Sequence, residues 1–284
     1  MGRRRGERDT LKAMAVEAYP DQLEPADQDA VIWRFMKMEK FHDLMDTNEL
    51  YFCRADLFEN DKREGMPLEE YLPALQLNPL DVLDRQRLEH HIGSVAQDRE
   101  GFYISCWHLF REETCQMWKK YGEDGVAICS RYQLLKSALG TMGDRAFLGL
   151  VRYGWEQLTG WDALRFITTW NVLRFITTKR IEYKSEQEVR AILWIVDPLA
   201  SGNRHLGPDG RPHSLPLTPP PDRVLKGHRR RVDMQTLVTE VVVTPWASSA
   251  TFDEVDQLLR NHRYAIPVQP SALTRYRELL PCTP

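Results

Sequence analysis

The chain has 284 residues, of which 42% are hydrophobic and 28% charged, and its formal net charge is -3. This much apolar material is enough for a hydrophobic core, which excludes a wholly disordered chain. The slightly negative balance argues against a protein that binds nucleic acid through bulk charge. No segment approaches the roughly 20 consecutive apolar residues of a membrane helix, so we expect no membrane partner.

The cysteines indicate a cytoplasmic protein with free thiols. Their number, five, is odd, and no two of them have CxxC spacing. A disulfide framework or a zinc cluster is therefore not expected. Cys53, Cys106 and Cys129 lie inside apolar segments, and we predict that they are small buried hydrophobic residues.

The first half of the chain contains a polar arm followed by alternating predicted strands and helices. Residues 1–30 are polar and charged and are expected to form a loose arm or a peripheral helix before one domain at 31–284. Hydrophobic spacing then predicts strands at 31–35, 50–53, 102–106, 126–129 and 148–153. It predicts helices at 37–48, 66–98, 112–121 and 130–139.

The second half contains a duplicated segment and a proline-rich loop. Leu164–Thr169 recurs letter for letter as Leu173–Thr178, which predicts a duplication that lengthens one helix. Residues 199–222 are rich in proline and are expected to form a surface loop or a lid. The basic cluster His228–Arg231 is either a solvated loop or a contact for a phosphate group. Strands are predicted at 188–196, 237–244 and 264–268, and helices at 251–260 and from Ser271 onward.

Strands and helices are mixed along the chain without the regular alternation of a βαβ protein. That order is typical of an α+β fold with a mixed, mostly antiparallel sheet. We therefore predict a single α+β domain at 31–284, in which helices flank the sheet and the proline-rich loop at 199–222 lies outside it.

The sharp sequence motifs of catalysis are absent, because the chain has no GxGxxG, Walker, HExxH or GxSxG motif. Two groups of acidic residues remain as candidates for chemistry. The first lies in the polar loop at 54–65 and consists of Asn60, Asp61 and Glu64. Combined with the second group, it could hold a divalent ion in a nuclease or phosphodiesterase.

The second acidic group consists of Glu186 and Glu188, at the start of a predicted strand. On a strand these carboxylates and Arg190 point to the same face. Residues two apart on a strand are separated by about 6.6 Å, and two carboxylates at that distance repel by roughly 2.5 kcal/mol. The cations that could compensate that repulsion are Arg190, Lys179, Arg180 and Lys184. A structural salt-bridge network and a catalytic or ribose-binding carboxylate both fit this pattern.

Several short motifs follow one another in a distinctive order. They are Trp33-Arg34-Phe35, Leu50-Tyr51-Phe52, Ser105-Cys106-Trp107, Met117-Trp118-Lys119-Lys120-Tyr121-Gly122, Gly125-Val126-Ala127-Ile128, Val151-Arg152-Tyr153, and Lys179-Arg180 ahead of Glu186, Glu188 and Arg190. In this order they resemble the largely bacterial family named domain of unknown function 2971, over about residues 31–275. The polar loop departs from the compact Asn-Asp-Pro-Phe-Glu pattern of that family, because Lys62 and Arg63 separate Asp61 from Glu64.

The same order of elements is more distantly similar to ADP-ribosyltransferase toxins, and this resemblance implies NAD as a substrate. It implies that Arg34 grips NAD and that Glu188, with Glu186, is catalytic. A carboxylate would stabilise the oxocarbenium-like centre, a cation would position the pyrophosphate, and an aromatic ring would stack on the nicotinamide. The residues that would bind NAD are Arg34, Tyr51, Ser105, Trp118 and Tyr121. A salt bridge for Arg34, and core positions for Trp118 and Tyr121, remain open alternatives.

Three functions are consistent with the sequence. The first is an ADP-ribosyltransferase-like enzyme that cleaves NAD and modifies nucleic acid or protein, as a toxin or phage-defence effector with an antitoxin or defence-system partner. The second is a metal-dependent nuclease or phosphodiesterase using Asp61, Glu64, Glu186 and Glu188. The third is a binding or sensing module without catalysis. Arg34 and Glu188 lining one cleft on neighbouring strands would support the first function, whereas opposite faces of the sheet would contradict it.

Overall fold

The structure is a computed structural model, and it describes residues 16–18, 22–58, 99–154, 169–195, 204–206, 212–214, 226–276 and 278. Within these ranges a mixed, mostly antiparallel sheet is flanked by helices, which confirms the predicted α+β class. None of the helices in them combines the length and the apolar character needed to cross a bilayer. Several predictions fall outside the described residues: Asn60, Asp61 and Glu64, the helix at 66–98, most of the first duplicated copy and most of the proline-rich loop.

The described residues contain thirteen strands. They are β1 (Val31–Lys37), β2 (Glu49–Arg54), β3 (Phe102–Leu109), β4 (Gly125–Arg131), β5 (Arg145–Leu150), β6 (Arg152–Tyr153), β7 (Thr178–Lys179), β8 (Glu188–Trp194), β9 (Arg204–Leu206), β10 (Pro212–Ser214), β11 (Gly227–Arg231), β12 (Glu240–Val243) and β13 (Val268–Pro270). Nine of them form the main sheet, in the order β11-β2-β3-β1-β4-β12-β13, with β8 on the other side of β3 and β5 beyond β8. Neighbouring strands of this sheet are antiparallel except for the parallel pair β12 and β13.

The helices of the described residues are mostly short. They are α1 (Met38–Thr47), α2 (Cys115–Met117), α3 (Tyr132–Gly140), α4 (Thr169–Ile176), α5 (Met234–Leu237) and α6 (Ser249–Asn261). A π-helical turn (Trp118–Gly122) follows α2, and 3-10 helices span Ala55–Leu57, Arg99–Gly101, Ile181–Glu186 and Ala272–Tyr276. The amphipathic segments predicted at 37–48, 130–139 and 251–260 correspond to α1, α3 and α6. The single helix predicted at 112–121 is instead the short α2 and the π-helical turn.

Helix α1 shows how the local sequence positions the strands around it. Phe41, Leu44 and Met45 recur at helical spacing and are buried against the sheet. Asn48 ends the helix in the left-handed conformation, with φ 58°, and its amide donates to the carbonyl of Leu44 at 2.9 Å. The chain therefore turns directly from α1 into β2, so that β1 and β2 reach the same neighbouring strand.

That neighbouring strand, β3, pairs with β1 and β2 on one edge but at its opposite ends. β2 pairs with residues 103–104, whereas β1 pairs with residues 108–109. Between them, residues 105–107 have no strand partner on this edge among the described residues. On the other edge β8 pairs continuously with residues 102–108. The sheet is therefore split between β1 and β2.

The two faces of the sheet have different cores. One face is covered by α1, α3, α5 and α6 and forms the larger core with residues such as Ile32, Met36 and Trp107. The other face carries two smaller clusters, one around Trp118 and one around Ile176 of α4. Between these two clusters β3 and β8 present a row of polar side chains: Cys106, His108, Glu188 and Arg190.

The basic cluster predicted as a loop is instead an edge strand. It forms most of β11, which pairs antiparallel with β2. Arg229 lies 2.6 Å from the carboxylate of Asp43, and Arg230 pairs with Asp144. Charged side chains are common on edge strands because they oppose further strand pairing, and the same charges remove the hydrophobic pattern that identifies a strand in a sequence.

The described part of the N-terminal arm is not loose. The amide of Glu17 donates to the carbonyl of Ala146, and the amide of Leu150 donates to the carbonyl of Leu23, both at 2.8 Å. The carboxylate of Glu17 also lies 2.7 Å from Arg145. The arm is therefore fixed along β5 at both positions.

Candidate functional site

A cavity of about 590 Å³ lies at the split between β1 and β2. Its wall includes the edge of β3 that has no strand partner in the described part of the chain. The amide of Leu109 donates to Gln187, on the β8 side, so strand alternation turns the amide of Cys106 toward the split. The cationic lining residues are Arg34, Lys40, Lys120, Lys179 and Arg229, and the acidic ones are Asp43, Glu49 and Glu188.

The structure brings most of the predicted site residues to this cavity. Those that line it are Arg34, Tyr51, Ser105, Tyr121, Lys179 and Glu188. Glu186 and Arg190 are buried next to the wall and contact its lining residues. Trp118 does not line the cavity. The loop candidates Asn60, Asp61 and Glu64 lie outside the described residues.

A buried ion network surrounds Glu188, the first residue of β8. Its Oε1 accepts from Nε of Arg190 at 2.8 Å, and its Oε2 lies 2.7 Å from Nζ of Lys179. The side chains of Glu188 and Arg190 are only 1% and 0% exposed. Arg190 also donates to the carbonyl of Ile176, at the end of α4. Two cations therefore compensate this carboxylate inside the protein, as a buried charge requires.

Glu186 does not lie on the strand, which corrects the prediction for this segment. It ends the 3-10 helix, and Gln187 follows in the left-handed conformation with φ 41°. The two carboxylates therefore do not alternate along one strand but converge on Lys179. Nζ of Lys179 lies 2.9 Å from Oε2 of Glu186 and 2.7 Å from Oε2 of Glu188. Lys179 supplies the compensation that two neighbouring carboxylates need.

The network shifts the pKa values of its members. Burial lowers the pKa of Lys179, but Glu188 and Glu186 outweigh burial and hold that pKa well above its ordinary value. Burial raises the pKa of Glu186, yet Lys179 and Lys120 outweigh it and the pKa lies below its ordinary value. Burial and the adjacent Glu188 raise the pKa of Cys106. At neutral pH, Lys179 is therefore a cation and Cys106 a thiol, and neither is a nucleophile.

Arg34 reaches the cavity from the other face of the sheet. It alternates with Ile32 and Met36, which belong to the helix-covered core, whereas Glu188 lies on the opposite face. β3 also separates β1 from β8, so the expectation of neighbouring strands is wrong. Both side chains nevertheless line one cavity, because the split connects the two faces. The arrangement on opposite faces, which was expected to contradict the first function, is therefore the one found. What remains in favour of that function is that both side chains line one cavity.

The surroundings of Arg34 leave its charge available to a ligand. Its Nη2 donates to the carbonyl of Tyr51 at 3.2 Å, and its guanidinium lies 5.8 Å from the ring of Trp107. No carboxylate of the described residues pairs with it, and burial lowers its pKa to about 10, so it stays charged at neutral pH. Ser105 is 1% exposed, and its hydroxyl has no hydrogen-bond partner in the described residues. Buried polar groups normally have partners, so both side chains are suited to a bound ligand.

His108 lines the cavity but was missed in the sequence. It is the cross-strand partner of Glu188, and its Nδ1 lies 2.9 Å from the carbonyl of Glu186. Its ring lies between those of Phe110 and Tyr121, with centroids at 6.0 Å and 5.5 Å. The register between β3 and β8 brings it to the site, and one sequence does not reveal a register between distant strands.

Trp118 is a core residue, so the structural alternative applies to it. It is fully buried, packs edge-on against Phe35 at 4.9 Å, and donates from Nε1 to Glu113 at 2.5 Å. It thereby anchors the π-helical turn. Tyr121 in the same turn faces the cavity, and its hydroxyl donates to Oε1 of Glu186 at 3.2 Å. The turn therefore separates two residues that the resemblance assigned to one site.

The described carboxylates are not arranged as metal ligands. Within the described residues no group of three or more His, Cys, Asp and Glu side chains converges on one point. Glu186 and Glu188 instead contact Lys179 and Arg190. Asp61 and Glu64, the other candidates for a metal site, lie outside these residues.

The arrangement suits an anionic ligand of nucleotide size. Small-molecule sites have volumes of about 300–1,000 Å³, and this cavity falls in that range. Cationic side chains outnumber acidic ones in its lining. Tyr51, Tyr121 and Tyr183 add aromatic surfaces of the kind on which a base or a pyridine ring stacks.

Known proteins provide no further guide to this site. No protein-family model matches the chain, and neither a curated protein nor a solved structure matches it. The function therefore has to be argued from the cavity and its side chains.

Proposed function

We propose that the cavity binds NAD and that the protein cleaves the bond between nicotinamide and ribose, as an ADP-ribosyltransferase-like enzyme. The observation that carries this proposal is the carboxylate of Glu188, fixed in the wall of a cavity of nucleotide size in which cationic side chains outnumber acidic ones. In this proposal the acceptor is a nucleic acid or a protein, and the role is that of a toxin or phage-defence effector. Membership of the family named domain of unknown function 2971 is part of the same proposal.

The phosphates of NAD would bind on the Arg34 side of the cavity. An arginine that has no carboxylate partner among the described residues can form charge-assisted hydrogen bonds to a pyrophosphate. The buried hydroxyl of Ser105 has no hydrogen-bond partner within the ranges that the structure describes, and leaving such a group unpaired costs about 1–3 kcal/mol. A phosphate or ribose oxygen would remove that cost. Arg229 and Lys40 add positive charge to the same cavity.

The nicotinamide riboside half would bind on the Glu188 side. Lys120 lies 5.1 Å from the ring of Tyr121 and 5.2 Å from the ring of Tyr183, so both rings belong to this part of the wall. A nicotinamide ring stacked on either tyrosine brings its ribose toward Glu188. The ligand would then extend through the split, from one face of the sheet to the other.

Glu188 would stabilise the transition state electrostatically. As the glycosidic bond breaks, nicotinamide leaves with the bonding electron pair and positive charge develops at ribose C1′. A carboxylate held in a low-dielectric wall stabilises that charge without having to reorganise. Lys179 and Arg190 provide this fixed geometry, since each of them holds one oxygen of the carboxylate.

The experiment is a measurement of nicotinamide release from NAD by the purified protein, with DNA, RNA or lysate protein as acceptor. We expect Glu188→Gln to lower the rate by about 10²–10³-fold, the usual effect of removing one preorganised electrostatic contact. Glu182→Gln is the matched control, because Glu182 lies in the adjacent 3-10 helix and is 54% exposed. Glu188→Asp keeps the buried negative charge but places the carboxylate one methylene further from the cavity. It therefore separates a loss of catalysis from a loss of folding. Release by Glu188→Gln at the wild-type rate would contradict the proposal.

A nucleotide-binding module without catalysis is the second candidate. It is supported by the ion network itself, since both oxygens of Glu188 already have cationic partners. In that case Glu188 is purely structural. Such a module would show a thermal shift on addition of NAD but no nicotinamide release with any acceptor.

A further inference from the structure

His108 is held in one orientation by its neighbours. It is 5% exposed and lies opposite Glu188 in the β3–β8 pair. The ring of Phe110 stacks parallel to it with an interplanar angle of 7°, and the ring of Phe35 lies at 6.1 Å. Packing against these two rings therefore restricts the plane of the imidazole where it lines the cavity.

The hydrogen bond of Nδ1 determines the tautomer of this histidine. Nδ1 lies 2.9 Å from the carbonyl oxygen of Glu186, and a carbonyl oxygen can only accept. Nδ1 must therefore carry the proton. In the neutral ring Nε2 is then the nitrogen with a free lone pair, and no side chain or backbone group of the described residues forms a hydrogen bond with it.

Burial favours the neutral form of His108. The titratable groups that face it are Glu188 on β8, Glu186 at the end of the 3-10 helix, Lys179 on β7 and Tyr121 in the π-helical turn. Burial lowers the pKa of His108 from its ordinary value of 6.5, and the carboxylates only partly offset this effect. At neutral pH the ring therefore presents a basic lone pair to the cavity.

We infer that His108 is the general base that activates the attacking nucleophile, and that this nucleophile is an O–H group, from water or from an alcohol of the acceptor. The inference rests on the proposed cleavage of NAD. His108 and Glu188 are directly opposite each other, a position in which Cβ atoms are about 4.5–5.5 Å apart. In this arrangement Glu188 faces the charge that develops at C1′, and His108 faces the group that attacks C1′.

The reaction balances with these groups alone. The C1′–N bond breaks, and its electron pair leaves with nicotinamide as a neutral base. The nucleophile oxygen forms the new bond to C1′, and its proton moves to Nε2 of His108. The imidazolium formed in this way is stabilised by Glu188 and Glu186 and returns its proton to solvent after the product leaves. A guanidinium acceptor is disfavoured, because it is a cation and cationic side chains outnumber acidic ones in the lining of the cavity.

The first test replaces His108 with asparagine, whose amide can still donate to the carbonyl of Glu186 but has no basic lone pair. We expect His108→Asn to bind NAD and to lower kcat for nicotinamide release by about 10²–10⁴-fold, with little change in KM. His262→Asn is the matched control, because His262 is a histidine at the end of α6 that pairs with Asp46 outside the cavity. A His108→Asn protein with wild-type kcat would overturn the inference.

The pH profile is the second readout, and its acid side can be measured on the wild-type protein before any variant is made. Below its pKa, His108 is protonated and has no lone pair, so kcat/KM should fall on the acid side with a midpoint below 6.5. This fall of kcat/KM on the acid side, the acid limb of the profile, should persist in His262→Asn and disappear in His108→Asn. Methanol should be converted to a methyl glycoside of ADP-ribose, whereas modification of agmatine, a guanidinium acceptor, would overturn the assigned acceptor class.

Failure of this inference is distinguishable from failure of the proposed function. If the wild-type protein releases no nicotinamide with any acceptor, the proposed function fails. If it releases nicotinamide with no acid limb, or equally in His108→Asn, only the role of His108 fails. The tautomer can also be measured without NAD, by nitrogen–proton correlation spectra of the imidazole ring. A proton on Nε2 rather than Nδ1 would overturn the inference whatever the activity.

Discussion

Lys179 is the residue on which the electrostatics of the site depend. Its ammonium group bridges two carboxylates that would otherwise face each other in the protein interior. The sequence indicated that Glu186 and Glu188 need cationic compensation, because two nearby carboxylates repel. It did not indicate the geometry, because the left-handed conformation of Gln187 replaces the expected strand, and glutamine carries no signal for that conformation.

Removal of this cation should destabilise the fold. Lys179→Met leaves Glu186 and Glu188 with fewer buried partners, and breaking a buried ion pair typically costs about 3–5 kcal/mol. We expect a decrease of this order in the free energy of unfolding measured by urea denaturation. Lys184→Met is the control, because Lys184 is exposed in the adjacent 3-10 helix. Equal stability of the two variants would show that the network is not a structural element.

The same contact gives the stability a pH dependence. The folded pKa of Glu186 lies below its ordinary value of 4.5, so its contribution to stability is present above that value and is lost as the pH falls through the folded pKa. The thermal midpoint of the wild type should therefore decrease below about pH 4.5. In Lys179→Met the decrease over the same range should be smaller, which a pH series of melting curves would measure.

At the scale of elements, β3 decides where the site lies. The β-branched and aromatic residues of β3 predict a strand. Helical spacing of apolar residues predicts α1, α3 and α6. The split cannot be predicted from the sequence. It arises because β1 and β2 pair with opposite ends of β3. The π-helical turn is also hidden, because its single irregular turn leaves the apolar spacing of a helix almost unchanged.

The close approach of β1 and β4 gives a prediction for Gly125. A Cβ at this position would overlap the carbonyl oxygen of Met36 and lie 2.7 Å from Cα of Lys37. Gly125→Ala should therefore push β1 away from β4, at a cost typical of overpacking, about 1–3 kcal/mol. Chemical denaturation measures this change. Gly101→Ala is the control, because its nearest neighbour would lie at 3.5 Å, and a similar loss in both variants would contradict the argument.

For the whole molecule, net charge was a poor guide to the ligand. The chain carries a formal charge of -3, yet cationic side chains outnumber acidic ones in the lining of the cavity. The fold class followed from the mixed order of elements, because that order is local information. The cavity did not, because Arg34 and Glu188 meet only through a split in the sheet that joins its two faces.

The central claim is that NAD binds through this split, and a crystal structure of the Glu188→Gln protein with NAD tests it most directly. We expect the pyrophosphate next to Arg34 and the hydroxyl of Ser105, and the nicotinamide ribose next to residue 188 and His108. NAD bound at another surface, or a cavity that remains without NAD at saturating concentration, would contradict the account.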